Sequence, residues 1–427
     1  MNSMKNTLLF DVTSRCNLRC KHCYNSNYFS STKRETNEKA DNVITFIHTN
    51  EINHVHILGG EPLLSEETWK LIDACEKTTF SINTNGTLIN NNIDNILTRP
   101  SINQITVSID GHNEATNSII RGEGVFDTVV HNTKNLSEAI QQSGSEIKIN
   151  LAFVITPGNL RSISHLAEAA LKIGADRIML SFLYFEGAAR ENYRRNYNYE
   201  ELTKEILHLL YQAESAQIEV LIDAHPLFFE LLNIQSSVQI NIAQDKQICY
   251  ANDGFFYISA NHNLYPCGPS SKTDDDRFLI GNVDDNPTIK IDLKRRMFTP
   301  NLCGRCHERF RCELCPLGID CTSYVLCDYS LRTIQKIAKQ TGNQKVQPRK
   351  EYGFYVVPER DDYQVLFVHF GAHYTEKLFK GKLLPEDEDF YSLTIQELME
   401  RCQIFDEYSS AVCRFASLSN KKLIELT

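Results

Sequence analysis

The chain has no apolar run approaching the roughly 18 residues a helix needs to cross a bilayer, so a membrane span is not expected. It has no excess of positive charge. Lys and Arg number 44 against 54 Asp and Glu, a formal net charge of −10, which argues against nucleic-acid binding by bulk electrostatics. Met1 to Phe10 holds no apolar stretch fit for a signal peptide, and a cytoplasmic location is expected. There is no internal repeat and no low-complexity tract. What is present is ordinary globular material: 42% hydrophobic and 23% charged residues over 427 positions, a length that suits about two or three domains.

Cysteine is the exception, with 14 residues. In a reducing compartment, clustered thiols serve metals or catalysis rather than a disulfide framework. Cys16, Cys20 and Cys23 lie on one short stretch. Cys249, Cys267, Cys303, Cys306, Cys312, Cys315, Cys321 and Cys327 form a second group, and only Cys75, Cys402 and Cys413 stand apart, as small buried hydrophobes.

From residue 7 to about 222, short β-branched runs alternate with longer amphipathic stretches. The runs are Thr7–Val12, His54–Leu58, Thr79–Asn83, Gln104–Ile109, Lys148–Ile155 and Arg177–Phe182. The stretches are Asn37–Thr49, Glu66–Glu76, Ile89–Leu97, Phe126–Gln141, Leu160–Lys172 and Glu200–Ser215. This predicts βαβ units and an α/β fold, a partial (β/α)6 TIM-type barrel over 1–235. A cysteine-rich domain over 236–345 follows, with a hairpin pairing Phe255–Ser259 with Leu264–Pro266. A small α+β segment over 346–427 completes the chain, either recognising a partner or capping the fold.

Each early strand ends in something chemically distinctive. The first runs into the cysteine triplet, the second into Gly59-Gly60-Glu61-Pro62, the third into Asn83-Thr84-Asn85-Gly86 and the fourth into Ser108-Ile109-Asp110-Gly111. Ligands of parallel α/β folds bind at the carboxyl ends of strands, so these motifs are expected to ring one ligand. Cys16-x3-Cys20-x2-Cys23 offers three thiolates and no well-placed fourth ligand, because His22 sits between two of them. Structural zinc wants four protein ligands. A [4Fe–4S] cube held by three cysteines keeps one iron open.

The spacing and order resemble the radical S-adenosylmethionine (SAM) superfamily, over roughly residues 7–222. The resemblance implies that Gly59, Gly60 and Glu61 meet the SAM amino group, the glycines by letting the backbone approach the ligand. It further implies that Ser108 and Asp110 hold ribose hydroxyls, that Thr84 and Asn85 border the ligand, and that Arg121 pairs its carboxylate. His22 stands where the family more often has an aromatic whose backbone meets the adenine. The second cysteine group resembles the SPASM extension. That resemblance implies two auxiliary [4Fe–4S] clusters, three in all. Cys303, Cys306, Cys312 and Cys327 would hold one, and Cys249, Cys267, Cys315 and Cys321 the other. Two departures stand out: Cys312 and Cys315 are separated by two residues where the family usually has three, and His262 replaces a glycine five positions before the second cysteine. Paired Cys-x2-Cys motifs also suit zinc, and eight thiolates count equally well for two zinc ions.

The superfamily's chemistry is reductive cleavage of SAM to a 5′-deoxyadenosyl radical that abstracts hydrogen from an unactivated C–H bond. Enzymes that join the two modules commonly act on peptides. The expected partners are therefore a ribosomally made precursor peptide and a flavodoxin- or ferredoxin-type reductant, with no nucleic acid and no membrane. Gly268 and Pro269 after Cys267 disfavour sulfatase maturation, in which an aspartate follows that cysteine. A side-chain crosslink (thioether, C–C or C–O) is the first expectation. The alternatives are peptide epimerisation, a small-metabolite substrate, or a non-enzymatic zinc or iron–sulfur scaffold. Tyr184–Tyr199 reads either as a peptide grip or as a solvated connector.

Overall fold

The computed structural model describes residues 6–26, 40–224, 226–236, 255–272, 278–289, 323–344, 346–348, 352–359, 362–369, 375–381, 394–397, 408–420 and 424–426. They form two compact units: residues 1–223 with 243–322, and residues 224–242 with 323–427. Among the described residues no helix is long and apolar enough to cross a membrane.

The first unit is built on seven consecutive parallel strands: β1 (Thr7–Asp11), β2 (His54–Leu58), β3 (Thr79–Thr84), β4 (Ile102–Ser108), β5 (Lys148–Ile155), β6 (Arg177–Phe182) and β7 (Glu219–Asp223). Between them run α1 (Asp41–Thr49), α2 (Glu66–Ala74), α3 (Ile93–Leu97), α4 (Glu114–Arg121), α5 (Val125–Ser143), α6 (Leu166–Ile173), α7 (Ala188–Asn192) and α8 (Tyr199–Ser215). The sheet is an open, partial TIM-type barrel. Beyond β1 it is extended by β8 (Phe255–Ile258), parallel to β1, and by β9 (Asn263–Tyr265), antiparallel to β8 as the expected hairpin. β10 (Gly281–Asn282) closes that edge.

The expected strands and most expected helices form; β7 and α4 are additional. One face of each strand carries the core: Leu8 and Phe10, Val55 and Ile57, Phe80 and Ile82, Ile105 and Val107, Leu151 and Phe153 are all buried. The register places polar residues together on the opposite face, His56 beside Ser81 and Thr106 beside Asn150. α4 starts at a reciprocal cap in which Asn113 Oδ1 accepts from Thr116 N at 2.9 Å and Thr116 Oγ1 accepts from Asn113 N at 3.3 Å. Its first residue, Glu114, then accepts from Gly124 N (2.7 Å) and Phe126 N (3.0 Å), capping α5, whose own N-cap is a glycine without a side chain.

The second unit contains α9 (Pro226–Gln235), α10 (Ser323–Thr341) and α11 (Tyr408–Asn420), a three-stranded antiparallel sheet of β12 (Tyr352–Glu359), β13 (Asp362–His369) and β14 (Thr375–Gly381), and a β11 (Val346–Pro348)–β15 (Ile424–Leu426) pair. α11 is tied to α9 by Ser417 Oγ donating to Asn233 O (2.9 Å) and Asn420 Nδ2 donating to Ile234 O (2.6 Å). β12 and β13 occupy the two strand-like runs expected there. The helical pattern at Ser392–Cys402 lies largely outside the described residues.

Candidate functional site

β1 delivers the chain into the loop that carries Cys16, Cys20 and Cys23, all part-buried. Cys16 Sγ accepts from Leu18 N (3.4 Å) and from Asn85 Nδ2 (3.9 Å); Cys20 Sγ accepts from Arg121 Nη1 (4.0 Å). Burial pushes all three thiols up, Cys23 to about 12, and the neighbouring thiols add to the Cys20 and Cys23 shifts. Metal loading therefore has to displace protons, and a bound cation reverses the balance. Among the described residues, no three His, Cys, Asp or Glu side chains converge on one metal ion. N–H donors on two of the sulfurs, and three thiols on one loop, suit a cluster in which each sulfur bonds its own iron.

The glycines after β2 serve that loop. A Cβ on Gly59 would lie 2.6 Å from Thr13 O, and one on Gly60 would lie 2.1 Å from Arg15 O. Gly60 N donates to Thr13 O and Glu61 N to Arg15 O, both at 2.8 Å. The close approach made here is thus to the cysteine loop's backbone. Glu61 likewise turns inward. Its fully buried carboxylate accepts from Leu63 N (3.2 Å), Thr84 Oγ1 (2.6 Å) and Asn85 N (2.7 Å), tying β2's end to β3's. Burial pushes its carboxyl up against those three donors. Asn85 Nδ2 also donates to Asn17 Oδ1 (2.8 Å), so the third strand end is bonded to the loop.

Asp110, His22 and Arg121 come together. His22 Nε2 and Arg121 Nε both lie 2.6 Å from Asp110 Oδ2, while Asp110 Oδ1 accepts from Val154 N (2.8 Å). Burial alone would raise the Asp110 carboxyl, but the guanidinium and the imidazole hold it well below the usual carboxylate range. His22 Nδ1 is buried without a partner, an orphan that a polar ligand would satisfy. Ser108 sits half-buried at the end of β4, two residues before this cluster.

The Tyr184–Tyr199 segment braces the cysteine loop. Ala188 N donates to Cys23 O (3.0 Å), Asn192 Nδ2 to Lys21 O (3.3 Å), and a Cβ on Gly187 would meet Cys23 O at 2.6 Å. Gly187 also has φ +56, a conformation that favours glycine. Sequence reasoning missed this residue; a glycine inside a long βα loop was the available signal. Tyr197 is buried and donates to Ile155 O (3.0 Å), so it holds the fold. Tyr193 is half-buried, its hydroxyl pushed up to about 12 by burial and by the Asp110 charge.

In the second cysteine group, Cys267 follows β9 half-buried. His262 takes φ +59, the glycine-favoured conformation, and its Nδ1 lies 2.7 Å from Asp284 Oδ1. Cys249, Cys303, Cys306, Cys312, Cys315 and Cys321 lie outside the described residues, as does Cys402. Cys327 falls on α10 and Cys413 on α11, with only the backbone described. Cys75 is buried, as expected of a small hydrophobe.

The strand ends surround a three-cysteine loop, and comparison with known proteins finds likenesses over this part of the chain. Residues 10–151 match the family model of the Radical SAM superfamily. A match to that model implies SAM and one [4Fe–4S] cluster, which the residues above fit. Mycofactocin maturase MftC of Mycolicibacterium smegmatis is 28% identical over 170 residues, 39% of this chain and 42% of that protein. The chain thus matches about two fifths of that relative's length. The AdoMet-dependent heme synthase of Methanosarcina barkeri is 25% identical over 340 residues, covering 74% of this chain and 92% of that one. SuiB of Streptococcus suis, solved bound to precursor peptide SuiA, shares the fold with a TM-score of 0.54 and 17% identity over 76% of this chain and 73% of that one.

Proposed function

We propose that this protein is a radical SAM enzyme that modifies a ribosomally made precursor peptide, forming a side-chain crosslink through hydrogen abstraction. One observation carries the chemistry. Three cysteines share a loop that the ends of β2, β3 and α4 bond from three sides, next to buried polar groups with an unpaired atom among them. A [4Fe–4S] cluster bound there supplies the electron that cleaves SAM.

The chain's own residues would then do the following. Cys16, Cys20 and Cys23 hold the cluster, with Asn85 and Arg121 hydrogen-bonding two of the sulfurs. Backbone groups of residues 59–61 border the SAM amino end, while the Glu61 carboxylate fixes the strand ends. Thr84 and Asn85 line the third strand's end, Ser108 and Asp110 face the ribose, and Arg121 meets the carboxylate. His22 contributes at the adenine and, through Asp110, is held in place. Further clusters on the second cysteine group, the boundaries 1–235, 236–345 and 346–427, the external reductant and a cytoplasmic location belong to the same proposal.

Support for a peptide substrate comes from the maturase relative and from the fold shared with a protein solved with a precursor peptide. A small-metabolite substrate is the second reading, favoured by the match that runs through 92% of a heme synthase. Anaerobic co-expression with a short peptide encoded beside the gene, followed by mass analysis, tests the proposal. A product lighter by two hydrogens is expected, and its loss when Cys16, Cys20 and Cys23 are replaced by Ala ties it to the loop. Unchanged mass with deuterium uptake from heavy water would establish epimerisation instead. An unmodified peptide beside active SAM cleavage would turn the assignment towards a metabolite.

A further inference from the structure

Asp11, the last residue of β1, is buried, and only one of its carboxylate oxygens is bonded. Oδ2 accepts from the Tyr257 hydroxyl and from Asn25 Nδ2 (3.2 Å); Oδ1 has no partner. Two other buried oxygens are in the same condition, Asn25 Oδ1 and Ser259 Oγ. These three residues are 3%, 4% and 3% exposed, and they line one small cavity together with Thr13, Ser14, Gly60 and Ala260. Buried polar groups in folded proteins are almost always paired. Three unpaired oxygens around one cavity point to an occupant.

We propose that this cavity binds a monovalent alkali cation, potassium or sodium, through Asp11, Asn25 and Ser259. A carboxylate, an amide oxygen and a hydroxyl are hard oxygen ligands of the kind that take hard cations. One carboxylate, whose charge Lys272 already opposes in part, leaves too little negative charge for a divalent ion, and calcium sites recruit six to eight oxygens and usually several carboxylates. Lys272 acts on Asp11 through its charge, but from outside the cavity. Lys272 Nζ lies 3.3 Å from the Tyr257 hydroxyl and over the rings of Tyr24 (5.3 Å) and Tyr257 (5.5 Å), and Lys272 is not among the residues lining the cavity. The position gives the ion a structural role. Thr13 and Ser14 lead into Cys16, and Asn25 follows Cys23, so an ion here pins both ends of the cysteine loop to β1 and β8.

The test uses the purified full chain under anaerobic conditions without SAM. Its thermal midpoint is measured in potassium, sodium and choline chloride at fixed ionic strength, which holds screening constant. A saturating rise of about 3 °C over choline is expected in one of the alkali salts. Asp11→Asn should abolish the rise. Ser259→Ala removes a hydroxyl that has no partner to lose and should raise the half-saturating salt concentration about tenfold, so the proposal stays testable if the Asp11 variant fails to fold. Equal midpoints in all three salts would mean that the cavity holds water only and would overturn it. A rise seen only after SAM is added would assign the oxygens to the ligand's own ammonium, overturning it as well. Peptide modification is not read, so the result is independent of the substrate proposal.

Discussion

Replacing Gly60 by Ala is the sharpest probe of the cysteine loop. Gly60 is not in a left-handed conformation, so the effect is steric. The new Cβ would meet Arg15 O at 2.1 Å, Arg15 C at 2.5 Å and Ser14 O at 2.9 Å, all backbone atoms without a rotamer to change. To reach even a tight contact the loop must retreat by about 1 Å. Gly60 N to Thr13 O and Glu61 N to Arg15 O, both 2.8 Å, then break or stretch. Two weakened hydrogen bonds at about 1 kcal/mol each, with about 1 kcal/mol or more of overpacking, give a loss of about 3 kcal/mol. Cys16 is the next residue, and metal sites tolerate ligand displacements of only about 0.2 Å. The assay is iron and sulfide per chain after anaerobic reconstitution, with the thermal midpoint, beside wild type and the Cys16/Cys20/Cys23→Ala triple variant. Gly60→Ala should fall to the iron content of the triple variant and melt earlier. Gly124→Ala, whose Cβ meets nothing within 4 Å, should keep its iron and lose only about 1 kcal/mol to its φ of +72. Full iron and an unchanged midpoint in Gly60→Ala would refute the claim that this glycine exists to let the loop backbone pass.

Two other perturbations follow from buried charge. Asp110→Asn strands the buried Arg121 guanidinium and should cost about 3–5 kcal/mol in urea unfolding; a midpoint within error of wild type would show that the pair is dispensable. His56, hydrogen-bonded to Ser81 and pushed down to about 3 by burial and by His54, is neutral when folded and protonates near pH 6.5 when unfolded. The unfolded state then binds the extra proton, so stability falls as pH drops below about 6.5, by up to about 1.4 kcal/mol per unit, or about 2 kcal/mol by pH 5. A series of thermal midpoints should show this decline, flattened in His56→Gln; equal slopes in the two proteins would count against it.

The strands were legible because each packs an apolar face that survives as a β-branched run, and the strand-end motifs were legible because turns there are short. Partners were not. That Gly59 and Gly60 also make room for the Thr13–Arg15 backbone was not legible, since a chain passing about 45 residues away in sequence leaves no local mark. Glu61 read as an amine partner, although its carboxylate is taken up by Leu63, Thr84 and Asn85. α4 escaped notice because it is 8 residues long and opens on Asn113 and Thr116, a cap without the usual glutamate. β7 was missed for a similar reason, as a run of 5 residues trailing α8. Gly187 had only its position in a long loop to recommend it.

The strand faces carry one more consequence. Parallel strands covered on both sides read as continuous apolar runs. In this sheet β2 to β5 alternate instead, and their second face sets His56 beside Ser81 and Thr106 beside Asn150. Some of these polar groups satisfy each other, as Asn150 Nδ2 does with Thr106 Oγ1 at 3.4 Å. Asn150 Oδ1, however, is fully buried and unpaired, a condition that costs about 1–3 kcal/mol when nothing fills it. A sheet selected only for packing would carry valine or isoleucine at positions 81, 106 and 150. Serine, threonine and asparagine there are intelligible if water or a polar ligand reaches that face, the same face onto which Asp11 and Ser108 project from the neighbouring strand ends.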